Sequence, residues 1–170
     1  RVALFPNFTV LENVNIGRHL HARETLFGAV FGMSKHMEIE NLEKSRKIVD
    51  FLGMTEHQDE LASNLPYGLQ RALNVAIALA TEPRLLMLDE PVAGMNPTEK
   101  AEMTRIIRLI RDEMGMTVML VEHDMRTVMN LCDKITVIDF GEKLAEGLPQ
   151  EIRENKDVIE AYLGAEDIVA

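Results

Sequence analysis

The stretch Leu85-Leu86-Met87-Leu88-Asp89-Glu90-Pro91 constrains the fold more than any other part of the sequence. Its four consecutive apolar residues show no period-two alternation, as expected for a strand buried on both faces of a parallel sheet. The flanks agree. Upstream, Leu69, Leu73, Ala76 and Ala80 mark one face of a helix that ends before Pro83. Downstream, Asn96-Pro97 starts a second helix with proline at its first position. Met103, Ile106, Ile107, Ile110 and Met114 are its expected core face, and Gly115 closes it. Thr117 to Val121 predicts a second buried strand, followed by a short helix from about Met125 to Leu131. Strand–helix–strand order implies an α/β sheet with right-handed crossovers. Ile135–Ile138 and Lys143–Glu146, joined through Asp139-Phe140-Gly141-Glu142, predict an antiparallel hairpin, and Ile152 to Leu163 a mostly helical tail.

The first third reads as helices. Thr9 and Glu12 have capping-box spacing ahead of Val10, Leu11, Val14 and Ile16. Leu20 to Met37 is irregular, with Gly28 and Gly32 beside Phe27 and Phe31. A second helix then carries Ile39, Leu42, Val49 and Leu52 on one face, Glu40, Glu43, Lys44 and Lys47 on the other, and Gly53 just past its end. Most methionines, Met87, Met103, Met119 and Met129 among them, fall at expected core positions. The formal charge of −10 over 170 residues argues against a general binder of nucleic acid or anionic membrane. No apolar run approaches the roughly 18 residues of a spanning helix, and no signal peptide is visible. The single cysteine, Cys132, excludes an internal disulfide, suits a reducing compartment, and reads as packing. His19 and His21, two residues apart, face different sides of a helix and make a poor metal pair.

Three constellations carry chemistry. Two adjacent carboxylates, Asp89 and Glu90, end a buried strand at the edge where such sheets bind ligands. An Asp there can hold Mg²⁺ through water, and a Glu can orient or deprotonate an attacking water. Taken alone, Asp-Glu-Pro is equally a polar turn. Leu65-Pro66-Tyr67-Gly68-Leu69-Gln70-Arg71 opens the preceding helix, whose free N–H groups and dipole favour an anion. On its own it is an ordinary Pro-initiated helix. His123 follows the second strand in Val121-Glu122-His123-Asp124, where an imidazole can hydrogen-bond a phosphate, although a lone His after a strand is usually incidental.

Together, in this order and spacing, the three resemble the ATP-binding subunits of ABC transporters. The resemblance covers essentially the whole chain. It implies a P-loop NTPase-type parallel sheet flanked by helices, with an α-helical subdomain, and ATP with Mg²⁺ as cofactors. Asp89 matches the Mg²⁺-water contact and Glu90 the catalytic carboxylate. Pro66, Tyr67, Gly68, Leu69 and Gln70 occupy the signature motif, which in this family binds the nucleotide of a facing subunit. Gly94, Met95 and Asn96, within Ala93–Pro97, match the D-loop, and His123 the switch histidine that senses the γ-phosphate. The Leu-Pro-Tyr-Gly signature is characteristic of one ATPase subunit of branched-chain amino acid importers. The stretches Leu4–Val14, Val121–Met125 and Val158–Gly164 are similar to that subunit too, and the insertion around Phe27 to Met37 fits it. Residues 1–65 would then be the end of the Q-loop region and the helical subdomain. Residues 66–133 would be the signature helix, Walker B strand, D-loop and switch region, and 134–170 the C-terminal hairpin and helices. The implied partners are a second ATPase subunit, identical or paralogous, transmembrane permease subunits and, indirectly, a substrate-binding protein, with no nucleic acid. The implied location is the cytoplasmic face of the inner membrane, as a peripheral subunit.

The sequence departs from the family at two points. None of its ten glycines is followed by Lys, so no G-x-x-x-x-G-K-[ST] phosphate loop is present. With the chain starting at Arg1 in apolar text, the expectation is N-terminal truncation and a piece inactive by itself. The alternative is a non-catalytic interaction fragment that docks on a membrane or ATPase partner. An ABC ATPase of DNA repair is disfavoured because long coiled-coil heptads are lacking. Leu69 stands where the related subunits usually have Gln, which removes one side-chain hydrogen bond near the nucleotide. Phe27, Phe31 and Met33 either contact a partner or close the helical subdomain.

Overall fold

A computed structural model describes residues 4–18 and 33–163. Residues 20–32 of the segment expected to be irregular, the His19/His21 pair and the contact residues Phe27 and Phe31 lie outside the described residues, as do the Met33 side chain and Gly164. The chain divides into two units, Arg1–Met119 and Leu120–Ala170.

In the first unit, helix α1 (Val10–Arg18) begins as its sequence requires. Thr9 Oγ1 accepts from the Glu12 N–H at 3.2 Å, and Glu12 Oε2 accepts from the Thr9 N–H at 2.7 Å. The segment before it is pinned by the buried Asn13 amide. That amide donates to the carbonyls of Phe5, Phe8 and Thr9 and accepts from the Phe5 N–H at 2.9 Å. Helix α2 (Met33–Phe51) starts within the stretch expected to be irregular, because no glycine or proline interrupts the sequence after Gly32. Gly53, just past its end, has a φ of +72°, which only glycine adopts readily. Val49 and Leu52 are buried as expected and Leu42 is partly buried, whereas Ile39 is exposed.

Helix α3 (Tyr67–Ala80) packs against both α1 and α2. Gly17 sets the closest approach of α1 and α3. A Cβ there would stand 2.5 Å from the Ile77 carbonyl oxygen and 2.8 Å from Ala80 Cβ. The next residue, Arg18, is buried and satisfies the end of α3. Its Nη1 donates to the Ala80 carbonyl at 3.0 Å and pairs with Glu82 Oε1 at 2.6 Å.

Strand β1 (Leu85–Asp89), helix α4 (Pro97–Glu113) and strand β2 (Thr117–Val121) follow in the expected order, and β1 pairs with β2. Helix α4 carries a complete capping box and buries Met103, Ile106, Ile107 and Ile110; Met114, just past its end, is exposed. Burial of the strands departs from expectation. Leu86 is 3% exposed, but Leu85 and Met87 are 46% and 65% exposed, and Met119 of β2 is also exposed. Successive strand residues point to opposite faces, and only one face of β1 is covered among the described residues. Met87 and Met119 are therefore not core residues here, unlike Met103.

The second unit is built on a short helix, α5 (Met125–Leu131), and the hairpin of β3 (Ile135–Asp139) and β4 (Glu142–Gly147). The two-residue turn has positive φ at Phe140 (+46°) and Gly141 (+86°), the handedness that suits twisted strands. Val137 pairs with Ala145 and Ile138 with Lys143, leaving Leu144 as a bulge. Val128, Ile135, Val137, Ile152 and Val158 form the core, with Cys132 and Met129 packed on it. Helix α6 (Pro149–Glu154), a single turn at Lys156–Val158 and a wider turn at Ile159–Leu163 close the described chain.

Candidate functional site

The strand end and the helix start lie in the same unit. Asp89, the last residue of β1, is exposed. Glu90 follows with a φ of +46°, a conformation that costs a non-glycine residue about 1–3 kcal/mol and collects at functional sites. From there the chain turns tightly. The Ala93 N–H donates to the Glu90 carbonyl at 3.2 Å, and the Met95 N–H to that of Val92 at 3.3 Å. Met95 is buried and anchors the turn, while Gly94, at φ +74°, is exposed. Asn96 then caps α4, accepting from the Glu99 N–H at 3.0 Å.

The start of α3 is drawn onto this turn. Pro66 is its N-cap residue and offers no side-chain hydrogen bond. The Tyr67 hydroxyl donates to the Ala93 carbonyl at 3.1 Å and accepts from Arg71 Nε at 2.9 Å, with the Arg71 guanidinium 5.4 Å from the ring centroid. The Gly68 N–H donates to Glu99 Oε1 at 3.2 Å. Gln70 turns inward, its Nε2 donating to the Leu65 carbonyl at 2.8 Å, and Leu69 is half-buried. Pro66–Gln70 and Gly94–Asn96 are thus brought together by Tyr67 and Glu99. Sequence reasoning passed over Glu99, although the spacing Asn96-x-x-Glu99 is itself a capping-box signal.

His123 belongs to the second unit. It sits after β2 with 70% of its side chain exposed, on a turn organised by Glu122. The fully buried Glu122 carboxylate accepts from the N–H groups of His123 at 3.0 Å and Asp124 at 3.3 Å. Asp124 in turn caps α5, accepting from the Thr127 N–H at 2.9 Å. Two surface pairs hold a carboxylate below its ordinary range. In Glu102 a hydrogen bond from Arg105 is the main cause, and in Glu40 one from Lys44. Among the described residues no group of three or more His, Cys, Asp or Glu could hold a metal unaided.

Solved structures share this architecture. The ADP conformation of an ATP-binding cassette of an ABC transporter superposes with a TM-score of 0.73 at 27% identity, over 94% of this chain and 64% of that one. A nucleotide-free ATP-binding cassette from an ABC transporter gives 0.74 at 29% identity, with the same coverage. The fold is therefore that of an ATP-binding cassette, a P-loop NTPase-type α/β fold. The family described as "ABC transporter" matches residues 1–93, and "Branched-chain amino acid ATP-binding cassette transporter" matches residues 142–168. The chain belongs to the ABC transporter family. It is 41% identical over 165 residues to the high-affinity branched-chain amino acid transport ATP-binding protein LivG of Salmonella typhimurium, and equally to BraF of Pseudomonas aeruginosa. In both cases it covers 96% of its own length and 65% of the relative's, so it spans just under two thirds of these curated proteins.

Proposed function

We propose that this chain is the larger, C-terminal part of an ATP-hydrolysing subunit that powers the import of branched-chain amino acids. The observation that carries the reading is its 41% identity, over nearly its whole length, to ATP-binding proteins named for that transport. The phosphate loop would lie in the third of the whole protein that this chain does not span. The uncovered apolar face of Leu85, Met87 and Met119 supports further polypeptide packing against β1 and β2.

The donor set fits Mg²⁺ with a nucleotide. Mg²⁺ takes one or two carboxylates together with phosphate oxygens and retained waters, and exposed Asp89 beside Glu90 supplies two such groups at one strand end. Bound Mg-ATP provides the transferable phosphoryl group and its counter-charge. Asp89 would hold Mg²⁺ through water, and Glu90 would orient the attacking water and take up its proton. His123 donates to the γ-phosphate. Pro66–Gln70, chiefly through backbone N–H groups, meet the nucleotide of a facing ATPase subunit, and Gly94–Asn96 line the contact between the two. Binding closes the pair, and hydrolysis opens it and moves the permease subunits. The subunit works at the cytoplasmic membrane face. No described helix is long and apolar enough to cross a membrane.

The test is Glu90→Gln in the whole protein. ATP binding should persist while steady-state turnover falls by about a hundredfold or more, the ordinary contribution of a positioned base. Near-normal turnover would remove Glu90 from the catalytic role.

A further inference from the structure

Gly68 is the second residue of α3, so its N–H has no acceptor inside the helix. Its acceptor is a carboxylate 31 residues further along the chain, Glu99 Oε1, at 3.2 Å. The other oxygen of that carboxylate, Oε2, accepts from the Asn96 N–H at 3.0 Å. One side chain thus completes the cap of α4 and supplies the cap that Pro66 cannot give α3. Space points the same way. A Cβ at position 68 would stand 3.0 Å from Glu99 Cγ and Oε1, so the lack of a side chain there admits the carboxylate. The Tyr67 hydroxyl on the Ala93 carbonyl makes a second link between the same two segments.

We propose that Glu99 is a positioning residue. It holds the signature helix and the D-loop together in a self-satisfied state, and it yields the Gly68 N–H when a phosphate arrives. This rests on the reading above, in which Gly68 meets the nucleotide of a facing subunit. A carboxylate and a phosphate oxygen are both anionic acceptors, and one N–H cannot serve both at full strength. Nucleotide engagement therefore breaks the Gly68–Glu99 bond and leaves Glu99 on Asn96. The carboxylate link between the D-loop and the signature helix is released as the two subunits close, while the Tyr67 hydroxyl stays on the Ala93 carbonyl.

The experiment titrates the whole protein, phosphate loop included, with a slowly hydrolysed ATP analogue and follows dimerisation by light scattering. The Michaelis constant for ATP is measured in parallel. Glu99→Gln keeps an acceptor of the same shape and removes the charge. It should lower both the half-saturating analogue concentration and KM by about threefold to tenfold, the difference between a charge-assisted hydrogen bond and a neutral one, with little change in kcat. Glu99→Ala should shift the same way while also lowering the melting temperature, since it removes the cap of α3 and the carboxylate half of the α4 capping box. A wild type that dimerises with the analogue while neither folded variant shifts downward would overturn the role of Glu99 alone. A wild type that binds the analogue and stays monomeric would overturn the facing-subunit reading, and this proposal with it.

Discussion

Replacing Gly17 by alanine tests how closely the helical part of the first unit is packed. On an exposed helix the change would stabilise by about 0.5–1 kcal/mol, because alanine loses less conformational freedom than glycine. Here the added methyl would sit 2.5 Å from the Ile77 carbonyl oxygen and 2.8 Å from Ala80 Cβ. Ordinary contact is about 3.5 Å, so α1 and α3 must part by roughly 1 Å, enough to forfeit up to about half of each dispersion contact along the seam. The separation also strains the Arg18 bond to the Ala80 carbonyl, now 3.0 Å. Overpacking of this kind costs about 1–3 kcal/mol. Set against the propensity gain, a net loss of about 1–2 kcal/mol remains. Urea unfolding of the whole protein should show a midpoint lower by about 0.5–1 M at unchanged slope, for a slope of about 2 kcal/mol/M. The sign is diagnostic: an equal or higher midpoint would refute the close approach. Gly115→Ala is the contrast. Nothing lies within 4 Å of its Cβ position, and its φ of +61° alone should cost about 1–2 kcal/mol.

Two ion pairs outside the candidate site are open to direct test. Arg18→Met keeps the buried stem but removes the guanidinium from Ala80 and Glu82, and should destabilise by about 1–3 kcal/mol in thermal unfolding; Glu82→Gln, at a half-exposed partner, should cost much less. The Glu146 carboxyl is held below its ordinary 4.5, first by a hydrogen bond from Lys134 and then by one from Lys143. Its contribution is therefore present above pH 4.5 and lost as pH falls through the lower folded value. Lys134→Ala should flatten that acid limb in melts run across the carboxylate range, and an unchanged limb would show the pair to be inconsequential.

Local signals in the sequence carried well into three dimensions. The box at Thr9–Glu12, the helix start at Asn96-Pro97, the glycines closing α2 and α4, and the turn at Phe140-Gly141 each involve residues a few positions apart. What they require is decided within that span. The candidate site was legible to the same depth, since Asp89, Glu90 and Pro66–Gln70 could be placed at a strand end and a helix start. Burial was not. An apolar run such as Leu85–Leu88 reports what a strand can bury, whereas exposure of Leu85 and Met87 depends on what covers each face. The link from Glu99 to Gly68 and the approach of Gly17 to Ile77 were hidden for a related reason. They join residues 31 and 60 positions apart, and only the packed helices bring those together.

The bulge at Leu144 makes the hairpin intolerant of misalignment. Because Leu144 stands opposite no residue of β3, it and Ala145 both pack on the core of Val137 and Ile152. A ladder slipped by one residue would instead turn Lys143 or Glu146 toward that core, and a buried charge without compensation costs several kcal/mol. The irregularity thus works as a key, admitting one alignment of the strands under the closing helices.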